Sequence, residues 1–157
     1  MPSRMQRLVA RRMAEQAERV QAQFVLSNGD NVYSWGVGSV HDPRFEQIFE
    51  KPFTLDEQFN QMPWYMALGN HDRRGNIDAQ IEYSALNPRW VLPSRYYSFV
   101  LPMFAHLNLP DVLFVVLDSL PIVCPDILTV SLLSMPLYVY LTEDIGKHRR
   151  GFEEGGV

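Results

Sequence analysis

Two short polar segments of the chain carry side chains that could bind metal ions and transfer protons. They are NGDNVY at positions 28–33 and GNHD at positions 69–72. The oxygens of Asp30 and Tyr33 are hard ligands that suit divalent or trivalent metals, and one carboxylate can bridge two ions about 3.5–4 Å apart. An imidazole such as that of His71 binds a phosphate oxygen or protonates a leaving group. Either segment alone is an ordinary turn, but the two together favour a site.

Each polar segment follows a short apolar run that predicts a buried strand, at 24–27 and at 63–68. The other predicted elements are a helix over 5–22, a helix that begins at Asp42-Pro43, a helix capped by Asn76 that ends near Tyr83, and strands over 96–101 and 112–117. This order predicts an α/β fold with a partly parallel sheet and flanking helices. Because the carboxyl ends of parallel strands share one sheet edge, we expect both polar segments to open on the same side.

The composition indicates one globular domain and excludes several kinds of function. The chain has 157 residues, of which 46% are hydrophobic and 20% charged, so it can bury a core. A formal net charge of -4 offers no electrostatic case for a nucleic-acid partner. The single cysteine, Cys124, excludes an intramolecular disulfide framework and a cysteine-based zinc site.

The sequence lacks the pattern of a secretory leader or of a membrane span. Residues 1–20 have no apolar run of the signal-peptide type, and their spacing predicts an amphipathic helix. The longest uncharged piece of the apolar C-terminal region, 127–141, has 15 residues, whereas a spanning helix needs about 20. We therefore expect no membrane partner, and the compartment stays open.

Longer motifs surround the two polar segments. They are SNGDNVY at 27–33, DPRFEQIFE at 42–50, PWYMALGNHD at 63–72, GNIDAQIEYS at 75–84, RW at 89–90 and VLFVVLD at 112–118. Together these motifs resemble the metallophosphoesterase superfamily and, within it, the tartrate-resistant or purple acid phosphatases. GNHD marks the superfamily, while the tyrosine of GD-x-x-Y and the stretch GN-x-x-AQI-x-YS mark the narrower family.

The resemblance implies a two-sheet sandwich flanked by helices, of which this chain carries a part that is incomplete at both ends. Residues 5–120 would form a partial acid phosphatase-like domain, and residues 121–157 a divergent apolar segment and a polar tail. The implied activity is that of an acid phosphatase, which hydrolyses phosphate monoesters with a dinuclear centre of Fe(III) and a divalent ion (iron, zinc or manganese). Members of the family are often secreted or lysosomal.

The resemblance also implies a role for each matching residue. Asp30 would bridge both metal ions, Tyr33 would bind the ferric ion as a phenolate, and Asn70 would bind the divalent ion. His71 would contact the substrate phosphate and help the leaving group to depart. The two ions would stabilise the extra charge of the transition state.

Two motifs of the family are absent from the sequence. No Asp precedes Asp30, so the upstream Asp-x-Gly motif is missing. A Gly-His-x-His motif is missing as well, since the histidines are His41, His71, His106 and His148. The last two are interpreted as residues of a loop and of a solvated tail. With half of the family's ligands left for each ion, we expect weak metal binding and weak or absent catalysis.

Three functions stay open on these residues. The first is hydrolysis of phosphate monoesters, which the tyrosine of GD-x-x-Y favours over hydrolysis of diesters. The second is a non-catalytic fragment of such an enzyme, and the third is an α/β module that binds phosphate without turnover. A partial domain also leaves one sheet face and edge uncovered, and this predicts self-association.

Overall fold

A computed structural model describes residues 2–54, 57–101, 112–119 and 137–141, which form an α/β fold. The helices are α1 (Arg4–Val20), a π-helix (Phe45–Glu50), α2 (Glu57–Gln61), a short 3-10 helix (Asp72–Arg74) and α3 (Ile77–Leu86). The strands are β1 (Val25–Ser27), β2 (Trp64–Met66), β3 (Trp90–Val91), β4 (Tyr96–Leu101), β5 (Val112–Leu117) and β6 (Leu137–Leu141). The predicted α/β class is confirmed.

The strands form two sheets of three strands each. In the first sheet, β1, β2 and β3 lie side by side in that order and run parallel, with Ser27 opposite Met66. In the second sheet, β4, β5 and β6 run antiparallel. The strands predicted over 96–101 and 112–117 thus have the expected bounds but belong to a separate sheet. The parallel sheet is the one that positions the two polar segments, because both follow its strands.

Local capping explains where the main helices begin. The hydroxyl of Ser3 accepts the backbone N–H of Gln6, and the Gln6 side chain accepts the backbone N–H of Ser3 in return, so α1 starts with a capping box. Asn76 caps α3 by accepting the backbone N–H of Ala79 at 3.1 Å, as predicted. The carboxylate of Asp42 accepts the backbone N–H of Arg44 at 2.9 Å at the start of the helix predicted there.

The sequence analysis predicted neither α2 nor β3. Each is short, with 5 residues in α2 and 2 in β3, so neither contains enough positions to show a helical or alternating pattern. Strand β3 exists because β2 is available as a partner: Trp64 lies opposite Trp90 in the parallel register. Strand β6 falls in the segment 121–157, for which no element was predicted. The proposed division at residue 120 stays a prediction.

An aromatic core joins the π-helix to the parallel sheet. The ring of Phe49 contacts Trp64 and Trp90 edge-on, with ring centroids 5.3 and 5.1 Å apart, and Phe45 contacts Trp90 in the same way at 5.4 Å. Edge-to-face contacts of this kind each contribute about 0.5–1.5 kcal/mol beyond the area they bury. These packed rings hold the helix rigidly against the strands that precede the two polar segments.

The two sheets contact each other through aromatic side chains. Tyr65 stacks on Phe99 with ring centroids 3.7 Å apart, and the hydroxyl of Tyr97 donates to the carbonyl of Met66 at 2.9 Å. Helix α1 leaves apolar side chains exposed, among them Met5, Leu8, Val9 and Val20. Self-association through such surface stays a prediction. None of the helices in the described part of the chain combines the length and apolarity that a bilayer crossing requires.

Candidate functional site

The two polar segments meet at one edge of the parallel sheet, as the strand order predicted. The backbone N–H of His71 donates to Oδ1 of Asp30 at 3.0 Å. Gly69 allows this approach, because a Cβ at that position would lie 2.2 Å from Oδ1 of Asp30. Gly29 lies in the opposing loop and has a φ of +90°, which favours glycine. A Cβ at this position would lie only 2.7 Å from the backbone nitrogen of Gly69. Both glycines are therefore required by the close contact of the two loops.

Asp30 and Tyr33 are in direct contact. The Tyr33 hydroxyl donates to Oδ2 of Asp30 at 2.8 Å, and Asp30 itself has a left-handed backbone with a φ of 52°. The Tyr33 side chain is 62% exposed. The hydrogen bond to Asp30, followed by partial burial, raises the pKa of Tyr33. A carboxylate and a phenol are thus joined on the rim of the site.

The imidazole of His71 is held by the loop that follows Tyr33. Its Nδ1 lies 2.9 Å from the carbonyl oxygen of Ser34. Because a carbonyl only accepts, Nδ1 carries the hydrogen in this contact and Nε2 stays available for another partner. The His71 ring also packs against the Tyr33 ring, with centroids 4.4 Å apart. Asn70 is half-buried between Gly69 and His71, both of which contact Asp30.

A buried carboxylate, to which the sequence analysis assigned no role, joins the two loops beneath the protein surface. Asp72 is fully buried and accepts the backbone N–H groups of Asn31, Val32 and Gly69 at 3.1, 3.1 and 2.9 Å. The side-chain amide of Gln80 donates to it at 3.1 Å. Burial raises the pKa of Asp72, although these hydrogen bonds oppose the shift. The sequence feature that could have identified Asp72 is its position directly after His71 in GNHD.

A second buried carboxylate anchors the GNHD segment to the antiparallel sheet. The Arg73 guanidinium binds Asp118 through two hydrogen bonds, Nη2 to Oδ2 at 2.6 Å and Nε to Oδ1 at 3.2 Å. Asp118 follows the last residue of β5 and is buried. Such a two-point contact fixes both the distance and the orientation of the two side chains. The site is therefore supported by both sheets.

The donor chemistry of the site fits a metal ion only in part. Asp30, Tyr33 and Asn70 offer the oxygen donors that iron, zinc or manganese accepts. Within the described ranges, however, there is no group of three or more His, Cys, Asp or Glu residues that could hold an ion. His41 is exposed in the loop before Asp42, and His106 and His148 lie outside the described residues. The described residues therefore do not complete the dinuclear centre that the resemblance implies.

The fold and the paired loops define the class of protein. The sequence matches the calcineurin-like phosphoesterase family over residues 4–155, and the chain belongs to that family. The match confirms the resemblance that the motifs indicated at the level of the superfamily.

Several proteins to which the chain is similar are named as acid phosphatases. The chain is 43% identical over 88 residues to tartrate-resistant acid phosphatase type 5 of Homo sapiens, which covers 56% of this chain and 27% of that protein. It is 45% identical over 85 residues to purple acid phosphatase 3 of Arabidopsis thaliana, which covers 53% of this chain and 23% of that protein. The matched stretch thus spans about a quarter of the length of these relatives.

A solved structure supports the fold independently. GAP50, the anchor in the inner membrane complex of Plasmodium, aligns with a TM-score of 0.59 and 21% identity. The alignment covers 72% of this chain and 36% of that chain. At this level of identity the likeness shows the fold and not the activity.

Proposed function

We propose that the chain acts as an acid phosphatase-like metallophosphoesterase that hydrolyses phosphate monoesters. The observation that carries the proposal is the 3.0 Å hydrogen bond from the His71 backbone to the Asp30 carboxylate. It brings the carboxylate that would bind metal and the backbone of the residue whose imidazole would donate a proton into one site, although the two residues are 41 positions apart in the chain. The identity to tartrate-resistant and purple acid phosphatases adds support.

The metal centre would consist of Fe(III) and a divalent iron, zinc or manganese ion. Its ligands in this chain would be Asp30, Tyr33 and Asn70. Such a centre, when bound, stabilises negative charge on the phosphoryl group. Since the described residues supply only part of the ligand shell, we expect this chain to retain metal weakly. The metal content of the purified chain is therefore measured separately from its rate of hydrolysis.

His71 would act on the leaving-group side of the phosphoester. The Ser34 carbonyl accepts from Nδ1, so Nε2 is the nitrogen that would face the substrate. In the imidazolium form, which carries a hydrogen on both nitrogens, Nε2–H would donate to a phosphate oxygen or protonate the departing oxygen. The Tyr33 ring packs against the imidazole and so helps to position it. A positioned ring lowers the entropy cost of reaching the reactive geometry.

The second candidate is a phosphate-binding module or non-catalytic fragment of such an enzyme. The incomplete donor set in the described part of the chain favours it. It differs from the first candidate in a simple way, because it predicts saturable binding of phosphate without release of product. Two tightly held metal ions per chain, measured by elemental analysis, would contradict it.

The test is hydrolysis of p-nitrophenyl phosphate at about pH 5, where acid phosphatase chemistry is expected, with added iron, zinc or manganese. Asp30→Asn is expected to lower the rate by about 100-fold or more, because it removes a charged ligand from the site. Asp78→Asn serves as the control, since Asp78 is an exposed residue of α3 that pairs with Arg95 and belongs to neither loop. An unchanged rate in Asp30→Asn would refute the proposal.

A further inference from the structure

An apolar groove lies beside helix α1 and has a volume of about 570 Å³. Most of the described residues that line it are apolar, and most belong to α1. Leu8, Val9 and Val20 line the groove and are exposed to solvent. Of the described lining residues, Val25 is the one that belongs to the parallel sheet. An open apolar surface of this size is typical of a binding site for another molecule.

The same groove borders the outer edge of strand β1. This strand lies at the end of its sheet, with β2 as its neighbour. The N–H of Val25 donates to the carbonyl of Pro63 at 2.9 Å, on the side of β2. The carbonyl of Ser27 accepts the N–H of Ala67 at 3.0 Å on the same side. Because backbone groups alternate in direction along a strand, the N–H and C=O of Leu26 face the outer edge, where an additional strand could pair with them.

Helix α1 supplies positive charge next to the groove. It contains five arginines and two glutamates, a formal charge of +3, whereas the whole chain has a formal charge of -4. Arg4, Arg7 and Arg11 line a polar hollow, and Leu8 lines both this hollow and the groove. Within the described part of the chain, none of these three arginines forms a salt bridge. Charge therefore favours an acidic occupant over a second copy of α1, which would bring the same positive charge.

We propose that the groove binds an extended apolar segment of a partner protein, flanked by acidic residues, as an additional strand beside β1. The backbone of the segment would pair with Leu26, and alternate side chains would enter the groove between α1 and Val25. Its carboxylates would bind the arginines of the polar hollow. From Leu8 to Val20 helix α1 rises about 18 Å, which equals roughly six residues of an extended strand. The apolar part of the partner segment therefore has about that length.

The proposal is tested by the binding of fluorescein-labelled peptides to the purified full chain, followed by fluorescence anisotropy. The probe has an apolar core of about six alternating valines and threonines, with glutamates at both ends. One control peptide has lysines in place of the glutamates. The other has an N-methylated core, whose backbone cannot donate a hydrogen bond to β1. We expect saturable binding of the probe and about tenfold weaker binding of either control peptide, because each loses one class of contact.

Two variants of the chain separate the apolar contact from the charged contact. Val9→Glu places a carboxylate at an exposed position of the groove and is expected to weaken the probe by about tenfold or more. Arg4→Gln/Arg11→Gln is expected to weaken the probe by about tenfold without weakening the lysine peptide. The matched controls are Leu86→Glu, at an exposed position at the end of α3, and Lys51→Gln, in an exposed ion pair. Neither control should change the affinity, and circular dichroism verifies the helix content of each variant.

Several results would overturn the proposal. One is the absence of saturable probe binding up to millimolar concentration, and another is an affinity for either control peptide equal to that for the probe. A concentration-dependent dimer that Val9→Glu abolishes, without peptide binding, would assign the groove to a second copy of the chain instead. Binding of phosphatidylserine vesicles without peptide binding, lost in the same variant, would assign it to a lipid surface. None of these measurements depends on hydrolysis, so the proposed function stands or fails separately.

Discussion

The backbone N–H of Val32 donates to Oδ1 of Asp72 at 3.1 Å, although the two residues are 40 positions apart in the chain. Oδ2 of the same carboxylate accepts the N–H of Gly69 at 2.9 Å and that of Asn31 at 3.1 Å. One buried carboxylate thus satisfies backbone donors of both loops that form the site. The geometry of the rim depends on this group, even though Asp72 does not itself face the rim.

Removing the charge of Asp72 is expected to destabilise the fold strongly. In Asp72→Asn an NH2 group replaces one acceptor oxygen and must face N–H donors in a buried position. We expect a loss of about 3 kcal/mol in the free energy of unfolding, measured by urea denaturation. Asp78→Asn is the control: Asp78 is exposed and lies 3.7 Å from Arg95, so its loss should cost less than about 0.5 kcal/mol. Equal stability of the two variants would contradict the role of Asp72.

A methyl group at Gly69 is expected to separate the two loops. The new Cβ of Gly69→Ala would lie 2.2 Å from Oδ1 and 2.3 Å from the backbone nitrogen of Asp30, so the backbone must move. We expect a loss of about 2 kcal/mol or more in the free energy of unfolding, measured by urea denaturation. The matched control is Gly38→Ala, whose Cβ would meet Oδ2 of Asp42 at an ordinary 3.6 Å. An unchanged free energy of unfolding in Gly69→Ala would show that the loops do not need this contact.

The carboxyl of Asp42 is expected to make stability depend on pH in the acidic range. The hydrogen bond from the Arg44 side chain holds the pKa of Asp42 well below its ordinary value of 3.8. A pKa that is lower in the folded chain contributes stability above the unfolded value, and the contribution is lost as the pH falls below it.

The measurement for Asp42 compares urea unfolding of the parent chain with that of Asp42→Asn at several pH values. At neutral pH the variant should be less stable by about 1 kcal/mol, since it loses a helix-start contact and a partly exposed ion pair. The difference should shrink at pH values below 3.8. Glu46→Gln is the control, because the ion pair of Glu46 with Lys51 is exposed. A difference for Asp42→Asn that does not vary with pH would refute the argument.

Breaking the contact between Arg73 and Asp118 is expected to cost more than losing a surface ion pair. Arg73→Met leaves the buried Asp118 carboxylate without its partner, for which we expect a loss of about 3–5 kcal/mol in unfolding free energy. The double variant Arg73→Met/Asp118→Leu should recover part of that loss, because no unpaired charge remains. Arg12→Ala breaks the exposed pair with Glu15 and should change stability by less than about 0.5 kcal/mol. Similar losses for Arg73→Met and Arg12→Ala would contradict the anchoring role.

Local patterns were enough to predict the framework of the site. The cap at Asn76, the helix start at Asp42 and the strands over 96–101 and 112–117 depend on neighbours in the chain, and the structure has each of them. The shared edge of the two polar loops followed from a general rule for parallel strands. The meeting of Asp30 with the GNHD segment could therefore be anticipated without coordinates.

The particular buried side-chain contacts that hold the site together could not be anticipated in this way. The burial of Asp72 among backbone donors of both loops and the pairing of Arg73 with Asp118 join residues about 40 positions apart or more. Neither hydrophobic periodicity nor capping preference carries information on such contacts, since the first arises when β1 and β2 pair and the second when the two sheets pack together. The separation of the strands into two sheets is likewise a tertiary property that local patterns do not carry.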